Sequence, residues 1–288
     1  MEKGLRFMER DIAECYMVMG GIPFYWSRLQ CGLSLAQNID ELFFNPEGEL
    51  HHEYQELFSS LFKMDGHHIA ILESLGRRQE GLTRKEILAE TKLTSNGILT
   101  QSLEELEECG FIRRYYQPSR PKSQQLFQLF DNYTLFYYQF MTTNRTNDAH
   151  FWTTSLNSPL HLAWSGLAFE RLCLQHIEQI QKALGISGVT CNCYAWRFRD
   201  SDRQGAQIDL VIDRQDNVIN LCEIKFTRKT FVIDRSYNEK LQNKLDTFIE
   251  ETSSKKSIHL TFITANGLAE NNYSGIVQNV ITLADLFQ

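Results

Sequence analysis

The stretch 207–226 constrains this chain more than any other: its apolar residues are largely β-branched, recur with period two and are split by the turn-forming Arg214-Gln215-Asp216-Asn217. That pattern predicts a β-hairpin with arms at 207–213 and 218–226. The first arm carries Asp209 and the second carries Glu223-Ile224-Lys225. Alternation places Glu223 and Lys225 on one face of their strand. Asp209 joins that face only if paired residue numbers sum to an even value, as when Asp209 faces Glu223. A two-residue Asp216-Asn217 turn would instead pair Asp209 with Ile224 and send the side chains to opposite faces, so a shared face requires a three-residue loop or a bulge.

Two carboxylates and an amine on adjacent strands have a definite chemical use. The carboxylates offer hard oxygen ligands to Mg²⁺, and the ammonium can orient a water or neutralise charge on a phosphate. A Glu-x-Lys on a strand is also common as an exposed cross-strand ion pair, so its surroundings decide. Glu170 supplies part of them. It lies in 164–184, which has helical periodicity, and its helical neighbours are Gly166, Leu167, Cys173, Leu174 and Ile177. A carboxylate on so apolar a side must find a cation, a metal or hydrogen-bond donors, or stay protonated.

The series Gly166-Leu167-Ala168-Phe169-Glu170, Asp209, Glu223-Ile224-Lys225, followed by a helix, resembles the PD-(D/E)xK nuclease-like superfamily. The resemblance implies a Mg²⁺-dependent phosphodiesterase acting on DNA or RNA. Asp209, Glu223 and Glu170 would serve the metal, and Lys225 would position the nucleophile or stabilise the transition state. The flanking pattern agrees: a strand at 189–198, the hairpin, a helix at 236–252, a strand at 258–264 and a last strand at 277–281. On the second helix Tyr237, Lys240 and Lys244 share three- and four-residue spacing, and one of them could reach a phosphate. A solvated basic face is the plainer reading of that stripe.

Composition excludes some classes. The 288 residues are 42% apolar and 23% charged with a net charge of −7, so the chain as a whole is no non-specific polyanion binder and any nucleic-acid contact must be local. Seven cysteines lack Cys-x-x-Cys spacing and read as free thiols in a reducing cytoplasm. No apolar run approaches the roughly 18 residues of a membrane span. The pairs His51-His52 and His67-His68 read as surface residues.

Ahead of the nuclease-like region the chain divides further. Residues 1–65 read as a helical lid-like subdomain with helices at 9–19, 24–30, 36–43 and 49–62. Residues 66–130 read as a winged helix-turn-helix: a helix at 67–75, a capping box Thr83-Arg84-Lys85-Glu86, a third helix from Ser95 to Glu108, and wing strands at 111–115 and 125–129. Asn96, Thr100 and Gln101 could reach bases, and Arg113, Arg114, Arg120 and Lys122 could meet phosphates. The acidic run Glu104-Glu105-Leu106-Glu107-Glu108 on the same helix opposes that use and favours docking within the protein. Residues 131–150 read as a helical connector overlapping the aromatic-rich stretch 127–140, which suits a packed helix better than a base-stacking platform. The nuclease-like domain then takes 151–288, giving a multidomain α+β chain with a mixed central sheet.

Gly20-Gly21-Ile22-Pro23-Phe24-Tyr25, Ser34-Leu35-Ala36-Gln37-Asn38-Ile39-Asp40, Gly81-Leu82-Thr83-Arg84 and Leu283-Ala284-Asp285-Leu286-Phe287 extend a second resemblance over nearly the whole chain. It is to a family of prokaryotic AAA+ ATPases with a C-terminal winged helix and nuclease-like domain. No Gly-x-x-x-x-Gly-Lys-Ser/Thr occurs in this sequence, so the chain matches the C-terminal portion of such an ATPase and is not expected to hydrolyse ATP alone. The implied partners are nucleic acid and an ATPase core, supplied by another polypeptide or by the chain's own missing N-terminal part. The alternative is a catalytically inert regulatory or interaction module of an ATPase.

Overall fold

The computed structural model describes residues 7–62, 66–78, 81–93, 96–115, 125–198 and 203–288. The chain is a multidomain α+β protein that forms two compact units. One runs to Tyr115 and resumes up to Arg171; the other comprises Leu172–Gln288.

The first unit begins with α1 (Glu9–Met19), α2 (Pro23–Ser27), α3 (Leu35–Ile39) and α4 (Glu53–Leu61). Pro23 starts α2, where its missing N–H costs nothing, and Ser34 caps α3 by accepting from the Gln37 N–H. Next come α5 (His67–Gly76), β1 (Leu82–Thr83), α6 (Arg84–Thr91), α7 (Asn96–Glu108), β2 (Ile112–Tyr115) and β3 (Leu126–Leu129). The strands make an antiparallel sheet in the order β1-β3-β2, and Thr83 and Glu86 form the expected capping box of α6. Gly81 adopts φ +82°, and a Cβ there would lie 2.5 Å from the Phe127 carbonyl oxygen, so only glycine fits where the chain enters β1.

The unit closes with α8 (Asn132–Phe136), α9 (Phe151–Ser155) and most of α10 (Pro159–Gln175). Stretch 127–140 is not one helix: β3 ends at Leu129, Asp131 caps α8, and a π-helical turn follows at Tyr137–Met141. Its aromatic residues nevertheless pack. Phe136, Phe140, Trp152 and Trp164 are fully buried and contact one another edge to face or tilted at 4.8–6.3 Å. Asp40, buried in a π-helical turn after α3, accepts from the Trp152 N–H at 2.9 Å and the Thr153 N–H at 3.3 Å, capping α9 from over a hundred residues away. Asp40→Ala should cost about 1–3 kcal/mol in chemical unfolding, because the buried Trp152 N–H and the part-buried Thr153 N–H lose their acceptor, whereas Asp40→Asn should recover part of that loss.

The second unit contains α11 (Ile177–Ala183), β4 (Cys191–Phe198), β5 (Ala206–Arg214), β6 (Val218–Lys225), α12 (Arg235–Thr252), β7 (Ser257–Thr264) and β8 (Asn279–Thr282). The stretch 164–184 is thus two helices, parted at His176 with φ −121° and ψ 41°. The sheet order is β4-β5-β6-β7-β8, antiparallel from β4 to β6 and parallel from β6 to β8. Helix α12 covers one face. Its Phe248 is buried among Trp196, Ile208, Val211, Ile219 and Leu221, and its Leu241 joins Ile233, Leu260 and Phe262. Among the described residues no helix is long and apolar enough to cross a membrane, and all seven cysteines are free thiols.

Candidate functional site

The β5–β6 ladder pairs Leu210 with Cys222, Val211 with Leu221, Ile212 with Asn220 and Asp213 with Ile219. The paired ladder ends at Leu210 and Cys222; its register has the parity that, continued one position, would set Asp209 opposite Glu223. The connecting loop is the three-residue Gln215-Asp216-Asn217, with Asn217 in the left-handed region at φ +66°. A bulge acts at the other end: Tyr194 of β4 pairs with Val211 but Trp196 pairs with Ile208, so Asp209 and Leu210 together oppose Ala195. Ile208 and Val211 accordingly pack in one cluster, although strict alternation would put them on opposite faces. The bulge interrupts alternation at Asp209, whose carboxylate reaches the β6 backbone at Ile224 and acts on the Lys225 charge.

Around Glu223 the side chains converge. Glu223 is 3% exposed. Its Oε1 accepts from Lys225 Nζ at 2.8 Å and from the Tyr237 hydroxyl, and its Oε2 accepts from Lys244 Nζ at 2.6 Å. Asp209 Oδ2 accepts the Ile224 N–H at 3.1 Å, just beyond the last paired rung of the β5–β6 ladder. Tyr237 and Lys244 come from α12, where Tyr237, Leu241, Lys244 and Phe248 lie on one stripe; burial of Leu241 and Phe248 turns that stripe to the sheet.

Burial alone would raise the Glu223 pKa, but the charges and hydrogen bonds of Lys225 and Lys244 more than reverse this and bring it to about 2. For Lys225, burial opposes the charged form, yet Glu223, then Asp209 and Tyr237, hold its pKa above the ordinary value. Tyr237 is raised by burial and by the adjacent Glu223 charge. Glu223 is therefore ionised and Lys225 is ammonium at neutral pH. A carboxyl group whose pKa is depressed on folding stabilises the fold above its unfolded pKa and loses that contribution as pH falls. The Glu223 share, roughly 3 kcal/mol, should be intact from pH 7 to about 5 and vanish between about 4.5 and 2. Urea unfolding of wild type and Glu223→Gln at stepped pH checks this; the variant should lack that component.

Several other expected residues have partners of their own. Glu170 lies in the first unit, 18% exposed, and its Oε1 pairs with Arg171 Nη1 at 2.6 Å. Arg171, 1% exposed, also donates from Nε to the Leu129 carbonyl at 3.1 Å. The cation that an apolar helix side demands is thus the neighbouring arginine. Arg113 turns inward, donating from Nε to Gln128 at 2.9 Å beside the Tyr115 and Phe130 rings. Arg114 pairs with Glu107. Thr100 accepts from Arg84, and Gln101 donates to Glu105 at 2.8 Å. Arg120, Lys122 and the side chain of Asn96 lie outside the described residues, while Lys240 is exposed. His68 is not a surface residue: it is buried, stacks on Phe62 at 4.2 Å and bonds Glu105 at 2.6 Å.

Among the described residues no group of three or more His, Cys, Asp or Glu side chains forms a metal cluster. Mg²⁺, however, is commonly held by one or two carboxylates, with water and substrate phosphate completing its shell. Asp209 and Glu223 fit that minimum: both are hard oxygen donors, Glu223 is ionised, and the ammoniums on Glu223 belong to side chains 25–29% exposed that can turn to solvent. Comparison with known proteins found no matching family model and no matching curated sequence.

Proposed function

We propose that the second unit is a Mg²⁺-dependent phosphodiesterase module of the PD-(D/E)xK nuclease-like type, acting on DNA or RNA. The observation that carries this reading is the Asp209 carboxylate at the end of the β5–β6 ladder, accepting the Ile224 N–H at 3.1 Å, with Lys225, the ion-pair partner of Glu223, within its field. Asp209 and Glu223 would hold the metal, which supplies an activated water and neutralises the scissile phosphate. Lys225, kept charged by its two acidic neighbours, orients the attacking water or takes up charge on the phosphate, and Tyr237 fixes Glu223 from the helix side. The three-stranded sheet packed with α5, α6 and α7 supports a winged helix in the first unit, and the resemblance of segments 20–25 and 34–40 to an AAA+ lid supports kinship with that ATPase family.

One observation favours a second reading, a catalytically inert docking module: Glu223 is already neutralised by two ammoniums. The readings part in a cleavage assay with the full chain on labelled single- and double-stranded DNA and RNA. Cleavage that needs Mg²⁺ or Mn²⁺ and stops with chelator is expected; none on any substrate with either ion, from folded protein, would favour the inert module.

A further inference from the structure

We propose that Lys244 is a displaceable counter-cation, holding the Glu223 Oε2 position that a divalent ion takes and withdrawing as that ion binds while Lys225 stays. The proposal rests on the metal-dependent reading above and assigns the coupling between metal entry and α12. Among the described residues Glu223 pairs with Lys225 and Lys244, and Asp209 acts on Lys225, so these two carboxylates and two lysines sum to no net charge. Adding a divalent ion with both lysines in place would leave two uncompensated positive charges in a largely buried setting, which like-charge repulsion opposes. Withdrawal of one ammonium halves that excess, and the single negative charge of a phosphodiester then balances the remainder.

Geometry decides which lysine leaves. Lys225 shares Oε1 with the Tyr237 hydroxyl, lies 5.8 Å from the Tyr237 ring centroid and sits in the field of Asp209 as well as Glu223. Its backbone is fixed in the β6–β7 ladder opposite Thr264. Among the described residues Lys244 alone meets Oε2, reaching it from α12 on a flexible stem, and it is a quarter exposed. Moving Lys244 to water breaks one contact, whereas moving Lys225 breaks several. A strongly hydrated ammonium on a four-carbon stem suits such an exchange.

Calorimetric titration of MnCl₂ into the full chain tests this in wild type, Lys244→Met, Lys225→Met and Glu223→Gln, with no substrate present. Removing the competing charge should make Lys244→Met bind Mn²⁺ about tenfold more tightly than wild type. Lys225→Met should gain less, and Glu223→Gln should lose the site. Lys244→Met binding no tighter than wild type, or Lys225→Met gaining as much, would overturn the displacement while wild-type binding upheld the metal reading. No Mn²⁺ binding by either wild type or Lys244→Met would overturn both. If Lys244→Met folds poorly, Lys244→Gln is used, and the rise in Tm on adding MnCl₂ should exceed that of wild type.

Discussion

Glu223→Ala should destabilise the second unit by about 2–4 kcal/mol, the largest stability effect expected of any single change at the cluster. Removing one member of a buried ion pair typically costs about 3–5 kcal/mol, because the remaining charge stays desolvated without a partner. Here the partners are two ammoniums, 29% and 25% exposed, which can move partly into water, so the lower range applies. Lys225 carries most of the residual cost, since it sits within the β6–β7 ladder beneath the Tyr237 ring. Adding Lys244→Met to Glu223→Ala should recover part of the loss, because an unpaired amine is replaced by an apolar side chain of similar length. Urea unfolding followed by circular dichroism measures both. A loss below about 1 kcal/mol for Glu223→Ala would mean that the cluster contributes little to the fold.

The second large effect is on chemistry. Asp209→Asn should lower divalent-dependent cleavage at least about a hundredfold, through loss of an anionic ligand and of the charge that helps keep Lys225 an ammonium. Stability should change by less than about 1 kcal/mol, since the asparagine oxygen can still accept the Ile224 N–H that Asp209 takes at 3.1 Å. Asparagine is therefore more informative than alanine, which would strand that N–H and confound stability with function. The loss should appear in kcat rather than KM if the nucleic acid is held mainly outside the cluster.

Much of the second unit was legible because its determinants are local. Alternation in β5 and β6 reveals their faces, and the demand for an even pairing sum is met by the three-residue loop, whereas the bulge at Asp209 and Leu210 depends on β4 and was not legible. Helix α12 was likewise legible, beginning at Arg235 where the pattern suggested Ser236. What escaped depends on distant partners. Tyr237 and Lys244 reach Glu223 only because Leu241 and Phe248 bury their stripe, so basic spacing alone could not separate a site from a solvated face. Helix α9 exists at the end of a long connection through Asp40, and β1 is only two residues long. His68 lies on the same helical stripe as the buried Ile71, Leu72 and Leu75, so helical spacing, rather than its residue type, marks it as internal; Phe62 and Glu105 contact it there. The break at His176 carries neither proline nor glycine, and the apolar periodicity runs through it.

The most direct measurement is an anomalous difference map from a crystal of the full chain soaked in MnCl₂. The account predicts a peak within coordination distance, about 2.0–2.3 Å, of carboxylate oxygens from both Asp209 and Glu223, with Lys244 turned away from Oε2. Crystals that take up Mn²⁺ only elsewhere, with Lys225 and Lys244 still closed on Glu223 at saturating metal, would contradict it.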